Sequence, residues 1–298
     1  MSTDTSRLNR IVSPSQRELW YRSYKRFASQ PMSIVGATIV IGIILTAIFA
    51  PYVAPYPEHI GKYTNFANAY AAPSLEHPLG TDDVGRDVLT RVMFGYRLSL
   101  LLAAAVLGIG VPIGVMLGLI AGYTGGWVDA AIMRVTDTFL ALPPLVLALA
   151  IASVFEPTLE IAIFAVASLW WTWYARLTRG LAASQRDEEY VQAAELAGAG
   201  RIHIMLREIL PNCLSPLLVK MTLDAGIVIL TGASLSFIGL GVQPPRPGLG
   251  TMVASGTEFL PQSWWISIFP GFAIFLLVLG FNMLGDGLRD MFDVEVEQ

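Results

Sequence analysis

Cysteine is almost absent from this chain: of 298 residues only Cys213 carries a thiol, which excludes an intrachain disulfide and any multi-cysteine metal site. Histidine is scarce as well. His59, His77 and His203 stand far apart, and no nucleophile and base can be assembled around them, so no catalytic residue is assigned. No Gly-x-x-x-x-Gly-Lys-[Ser/Thr] run occurs, and Gly108-x-Gly110 lacks both the third glycine at the required spacing and a preceding strand, so a phosphate-cradling loop is not expected. Charge is thin: Asp, Glu, Lys and Arg make up 14% of residues against 54% hydrophobic ones, with a mean hydropathy of +0.58. That leaves too little polar surface to cover a soluble globule, and an integral membrane protein is expected.

The apolar residues gather into long runs. A helical crossing takes about 20 of them, and about six candidate spans follow, at 33–50, 98–122, 130–154, 159–177, 214–238 and 264–285. The fourth has the shortest charge-free stretch and relies on Glu160 and Arg176 reaching the interface. The expected fold is all-α and polytopic. Arg7, Arg10, Arg17, Arg22, Lys25 and Arg26 precede the first span, while Arg176, Arg179, Arg186, Arg201 and Arg207 crowd the segment after the fourth. Both regions, and both termini, are therefore expected in the cytoplasm. The apolar run starts too late for a cleaved signal peptide. The predicted division is a cytoplasmic basic tail at 1–32, a first transmembrane helix at 33–50, an external segment at 51–97, a core of five transmembrane helices at 98–288 and a cytoplasmic tail at 289–298.

Within the core, residues 181–212 interrupt the apolar pattern. Ser184 and Asp187 have the spacing of a capping box, and Glu188 and Glu189 add negative charge where a helix begins, so a helix start is predicted here. Ala193, Ala194, Ala197 and Gly198 bring small side chains together, and Gly198 and Gly200 can supply the left-handed backbone that reverses the chain. Ile202, Met205, Leu206 and Ile209 then follow helical spacing until Pro211, which is expected to stop a second short helix. A two-helix hairpin between long apolar runs reads as a docking handle.

The external segment contains Pro51, Pro55, Pro57, Pro73 and Pro78, which keep it extended, and then His-Pro-Leu-Gly-Thr-Asp-Asp-Val-Gly-Arg-Asp from His77. Val88, Leu89, Val92, Met93 and Tyr96 share one helical face and Arg86, Asp87, Thr90 and Arg91 another, which predicts an interfacial helix leading into the second span. His77, Asp82, Asp83 and Asp87 are residue types that hold hard or borderline ions. Caps, turns and ion pairs use the same residues, and no metal is assigned.

Other features read as architecture. Gly110, Gly114, Gly118 and Gly122 recur every four residues, a face for close helix approach. Pro143 and Pro144 should kink or break the third span, either as a packing bend or as part of a pathway wall. Trp170, Trp171, Trp173 and Tyr174 beside Arg176 and Arg179 read as an interfacial belt. Arg134 and Asp137 are spaced to pair, and so are Lys220 and Asp224, unless Asp224 faces a polar cavity instead.

Two stretches carry a resemblance. Gln192-Ala193-Ala194, Gly198 and Ile209-Leu210-Pro211 resemble the Glu-Ala-Ala loop of permease subunits in ABC importers, with Gln192 in place of the usual Glu. Gly80-Thr81-Asp82 and Gly85-Arg86-Asp87 resemble the signature of the dipeptide, oligopeptide and nickel branch, in the partner subunit with the shorter external loop. The resemblance implies a type I ABC importer permease fold in a prokaryotic cytoplasmic membrane. It also implies a second homologous permease, two ATP-hydrolysing subunits and an external solute-binding protein as partners, with ATP used by those subunits and no cofactor bound by this chain. The loop would couple ATP hydrolysis to translocation, with peptide as the default solute and nickel or a related small solute as others. The alternative is a secondary transporter driven by an ion gradient through Asp224 or Asp137.

Overall fold

The computed structural model describes residues 27–28 and 30–292; the basic residues from Arg7 to Arg26 and the last residues of the tail lie outside them. Helix α1 (Pro31–Val53) starts with proline in its first turn, where a missing N–H costs nothing. It is apolar all round and buries only Ser33, Gly36, Val40, Ile43, Ala47 and Ala50, a stripe at three- and four-residue intervals. After an irregular segment with two short 3₁₀ turns, α2 (Val88–Thr124) runs 37 residues, about 55 Å and thus longer than a hydrocarbon core of roughly 30 Å. Helices α3 (Gly126–Leu140) and α4 (Pro144–Ala152) meet at a bend of 83°. Pro143 and Pro144 break the run there, because proline lacks the N–H and pushes the residue before it out of helical geometry.

Helix α5 (Leu159–Arg186) is capped by Thr158, whose hydroxyl accepts from the Ile161 amide at 3.2 Å. A short helix α6 (Glu189–Leu196) follows, then α7 (Arg201–Phe237), α8 (Leu249–Thr257) and α9 (Trp265–Phe292). Helix α9 continues past residue 288, so no boundary between core and tail falls there. Among the described residues α1, α2, α7 and α9 are long and apolar enough to cross a membrane, and α3 with α4 makes a fifth crossing if the bent pair is one span. Helix α5, the fourth candidate span, has the length but not the hydropathy. Its Trp residues, Glu160, Arg176 and Arg179 dilute the apolar content, and it buries its apolar face on other helices.

Several local expectations change. The helix expected from Val88 does run into the second span as the start of α2, but its polar face does not look outward: Thr90 and Arg91 are buried under the preceding segment instead of facing water. Two members of the aromatic run expected at the interface are instead inside the bundle, while Trp171 and Trp173 are half-buried. Trp170 and Tyr174 are buried at 4% and 0% exposure, because they lie where α5 meets the glycine face of α2. Gly110, Gly114, Gly118 and Gly122 sit against Trp170, Tyr174, Thr178 and Ala182 in turn, and a Cβ on Gly118 or Gly122 would come within 2.6 Å of a carbonyl oxygen of α5. Asp137 pairs with Arg176 of α5, not with Arg134, since the bend after Leu140 leaves α3 lying along α5. Asp129 and Arg179 form a second ion pair between the same helices at 2.5 Å.

Candidate functional site

Three groups of polar residues stand out against this apolar bundle, beginning with the Gly-Thr-Asp and Gly-Arg-Asp signature. The structure folds it into one knot. Thr81 and Asp87 form an isolated antiparallel bridge, and Gly80 (φ +75°) and Gly85 (φ +81°) make the turns that close it. Asp82 accepts from the backbone amides of Val84 and Arg86 at 3.1 and 2.8 Å and from Arg86 Nε at 2.7 Å. Asp87 caps α2 by accepting from the Thr90 amide at 2.7 Å, and its other oxygen meets His77 Nδ1 at 3.0 Å. Buried Arg91 donates to the carbonyls of His59 and Pro245 at 3.2 and 3.3 Å, and the Trp265 indole donates to Thr81 O at 3.1 Å. The knot therefore ties the start of α2 to the segments around α8 and α9. The carboxylates face protein cations and amides, and the described residues hold no group of three or more His, Cys, Asp or Glu placed to take a metal ion.

His59 is part of this knot. Its Nδ1 accepts from the Asp87 amide at 2.9 Å, which requires the neutral ring with the proton on Nε2. Tyr63 and Tyr56 stack on the ring with centroids 3.9 and 4.9 Å away. Burial, the main cause, pushes the His59 pKa down, and His77 adds to it; Glu58, Asp87 and Asp82 oppose. A histidine whose folded pKa lies below its unfolded value stabilises fully above the unfolded value, about 6.5, and that contribution is lost as pH falls. Amide protection in residues 56–90, taken relative to the intrinsic exchange rate at each pH, is expected to fall as pH drops below about 6.5, and a His59→Gln variant should flatten that dependence. Protection that does not change with pH in the unsubstituted protein would contradict the assignment.

The second group lies within the bundle. Buried Asp224 on α7 accepts from Lys220 Nζ at 2.8 Å and from the Trp170 indole of α5 at 3.2 Å. Lys220 also lies over the Tyr174 ring, 5.9 Å from its centroid. The carboxylate is thus held as an ion pair between the two helices that flank the polar loop.

The polar loop is the third group. Helix α5 continues through Ser184 to Arg186, and the Ser184 hydroxyl donates to Leu181 O, so there is no capping box at Ser184; Glu188 is the N-cap of α6. Gln192 and Ala193 lie exposed on α6, and Ala194 is half-buried. Gln192 Nε2 donates to Asp187 O at 2.9 Å, a bond that a glutamate could not make. The turn is a Schellman motif: the Gly198 amide donates to Glu195 O at 2.9 Å and the Ala199 amide to Ala194 O at 3.0 Å, with Gly198 at φ +84°. Gly200 is not left-handed (φ -71°) and instead precedes the first turn of α7.

Pro211 does not stop the second helix. Residues Ile204–Ile209 form a π-helical turn, and Pro211 sits in the first turn of the α-helical stretch that continues from it. The wider turn shifts the apolar register. Ile204, Ile209 and Cys213 are buried while Ile202 is exposed, contrary to the stripe Ile202, Met205, Leu206 and Ile209. Ile209 is thus an anchor, with Leu210 half-buried and Pro211 exposed beside it. Val191 anchors α6, and the Tyr123 hydroxyl at the end of α2 donates to Glu195 at 2.8 Å. What the hairpin displays is Leu196, 91% exposed, and Ile202, 70% exposed. Spacing alone could not single these two out, because the π turn that frees Ile202 leaves no pattern in the residue types.

A hairpin that is anchored between two long helices and tipped with bare leucine and isoleucine fits a subunit that works against another protein. Residues 114–298 match the family described as "Binding-protein-dependent transport system inner membrane component", and residues 18–73 match "N-terminal TM domain of oligopeptide transport permease C". The chain is 44% identical over 289 residues to the dipeptide transport system permease protein DppC of Escherichia coli (strain K12), covering 95% of this chain and 94% of that one. It is 42% identical over 280 residues to the protein of the same name from Alkalihalophilus pseudofirmus, covering 93% and 90%. Identity to the glutathione transport system permease protein GsiD of Escherichia coli O6:K15:H31 is 40% over 288 residues, covering 96% and 94%. A polytopic all-α chain with these matches along its whole length belongs to the binding-protein-dependent transport system inner membrane components, the membrane-embedded permeases of ABC importers.

Proposed function

We propose that this permease translocates di- or oligopeptides across a prokaryotic cytoplasmic membrane, paired with a second homologous permease, two ATP-hydrolysing subunits and an external solute-binding protein. The observation that carries the reading is the hairpin 187–211, whose exposed Leu196 and Ile202 stand on the buried anchors Val191 of α6 and Ile204 and Ile209 of α7. A partner seated on that tip can push both helices. The basic residues of the hairpin support a cytoplasmic position for it, with both termini on that side and the Gly-Thr-Asp knot outside. ATP is bound by the partner subunits, and this chain binds no cofactor. Peptide as the solute is supported by the dipeptide permeases among the relatives.

Proteoliposomes holding the assembled complex test this reading. Uptake of a labelled dipeptide should require ATP on the hairpin side and the binding protein on the other, and should survive ionophores that collapse proton and sodium gradients. Uptake that follows the gradient and ignores ATP would favour a secondary transporter instead. In the same assay Asp224→Asn is expected to lower complex recovery without creating or removing any ion dependence. Breaking a buried pair costs on the order of 3–5 kcal/mol, and Lys220→Met in the same chain should restore part of it. An Asp224→Asn complex that assembles normally and loses a proton or sodium dependence would overturn the pairing role.

A further inference from the structure

Beside the hairpin lies a polar cavity of about 180 Å³ lined by Tyr123, Thr124, Arg186, Glu195 and Arg201. Its two arginines come from the two ends of the loop, Arg186 from the last turn of α5 and Arg201 from the first turn of α7. The Arg186 guanidinium lies against Gly125, where a Cβ would be 2.9 Å from Nη1. Glu195 is engaged by the Tyr123 hydroxyl at 2.8 Å, and the Thr124 hydroxyl is spent on Ile120 O at 2.5 Å. Among the described residues neither arginine makes an ion pair or a side-chain hydrogen bond. Two guanidinium groups against one carboxylate leave the cavity with an excess positive charge and unspent forked donors, which match a planar carboxylate.

The cavity and the apolar tip belong to one hairpin: α6 carries Glu195 and Leu196, and the first turn of α7 carries Arg201 and Ile202. We propose that the cavity receives an acidic side chain of the ATP-hydrolysing subunit, whose docking surface is then an apolar groove with a carboxylate at its rim. This rests on the coupling role proposed for the hairpin. It also gives the loop a charged anchor of its own, since Gln192 is neutral and its amide is used within the loop. The carboxylate of the partner accepts from Arg186 and Arg201.

The test uses the full chain in nanodiscs with its partner permease, and measures binding of the purified ATP-hydrolysing subunits. Arg186→Gln with Arg201→Gln is expected to weaken binding about 10-fold at low salt and to remove most of its salt dependence. Thermal unfolding of the free permease should not change, because both side chains are exposed. A Leu196→Ser variant reports on the underlying reading. If Leu196→Ser releases the ATPase while the arginine variant binds normally, the hairpin docks as proposed and the carboxylate assignment is wrong. If Leu196→Ser also binds normally, the coupling role itself fails. Weaker binding by the arginine variant only in discs containing anionic lipid would assign the cavity to a lipid headgroup and overturn the proposal.

Discussion

Aspartate at both Leu196 and Ile202 is expected to reduce ATP-driven uptake to near background while the permease still inserts and folds. The two side chains are 91% and 70% exposed, so neither contributes to the internal packing that Val191, Ile204 and Ile209 provide. Their value is therefore felt only when another protein covers them. Central apolar contacts of this kind are each worth about 2 kcal/mol at a protein interface, and 1.4 kcal/mol is a factor of about ten in affinity. Losing both, and burying two carboxylates in their place, should release the ATP-hydrolysing subunits by a factor on the order of 1,000. Sedimentation of the complex and hydrolysis stimulated by the loaded binding protein are the readouts. Normal uptake with stimulated hydrolysis in the double variant would remove the hairpin tip from the coupling path.

The second large effect is expected at Gly114. A Cβ there would sit 2.6 Å from Tyr174 Cβ and closer still to the Trp171 carbonyl oxygen, and both contacts belong to the fixed backbone region of α5. A leucine cannot be accommodated by rotating a flexible side chain away; the two helices must separate. Overpacking costs about 1–3 kcal/mol, and more where backbone must move, and here the separation would pull α5 from the glycine face along its length. Trp170 would then lose its place against Asp224, and with it the link between α5 and α7. Gly114→Leu should therefore give little stable complex. Gly108→Leu is the matched control on the same helix, since nothing lies within 4 Å of its Cβ position, and it should fold and transport as the unsubstituted chain does. Equal yields from the two variants would show that close approach of α2 and α5 is dispensable.

The amino-acid sequence by itself determined the class of molecule, because composition and the length of apolar runs respond only to the solvent around the chain. It also located the three polar stretches that matter, since polar residues that interrupt an apolar run are visible without knowing their neighbours. The recurrence of Gly110, Gly114, Gly118 and Gly122 announced a close helix contact, and Pro143 with Pro144 announced a break, both being backbone properties of the residues themselves. Which faces meet was decided only in three dimensions. Spacing on one helix suggested Arg134 for Asp137, whereas the bend after Leu140 brings Arg176. Aromatic character suggested a membrane interface for Trp170, whereas the glycine face of α2 draws it inside and gives its indole to Asp224. The π turn at Ile204–Ile209 had the largest consequence. One wider turn moves Ile204 and Ile209 inward and Ile202 outward, and no rule of residue spacing anticipates it, because a π turn changes the period on which such rules rest.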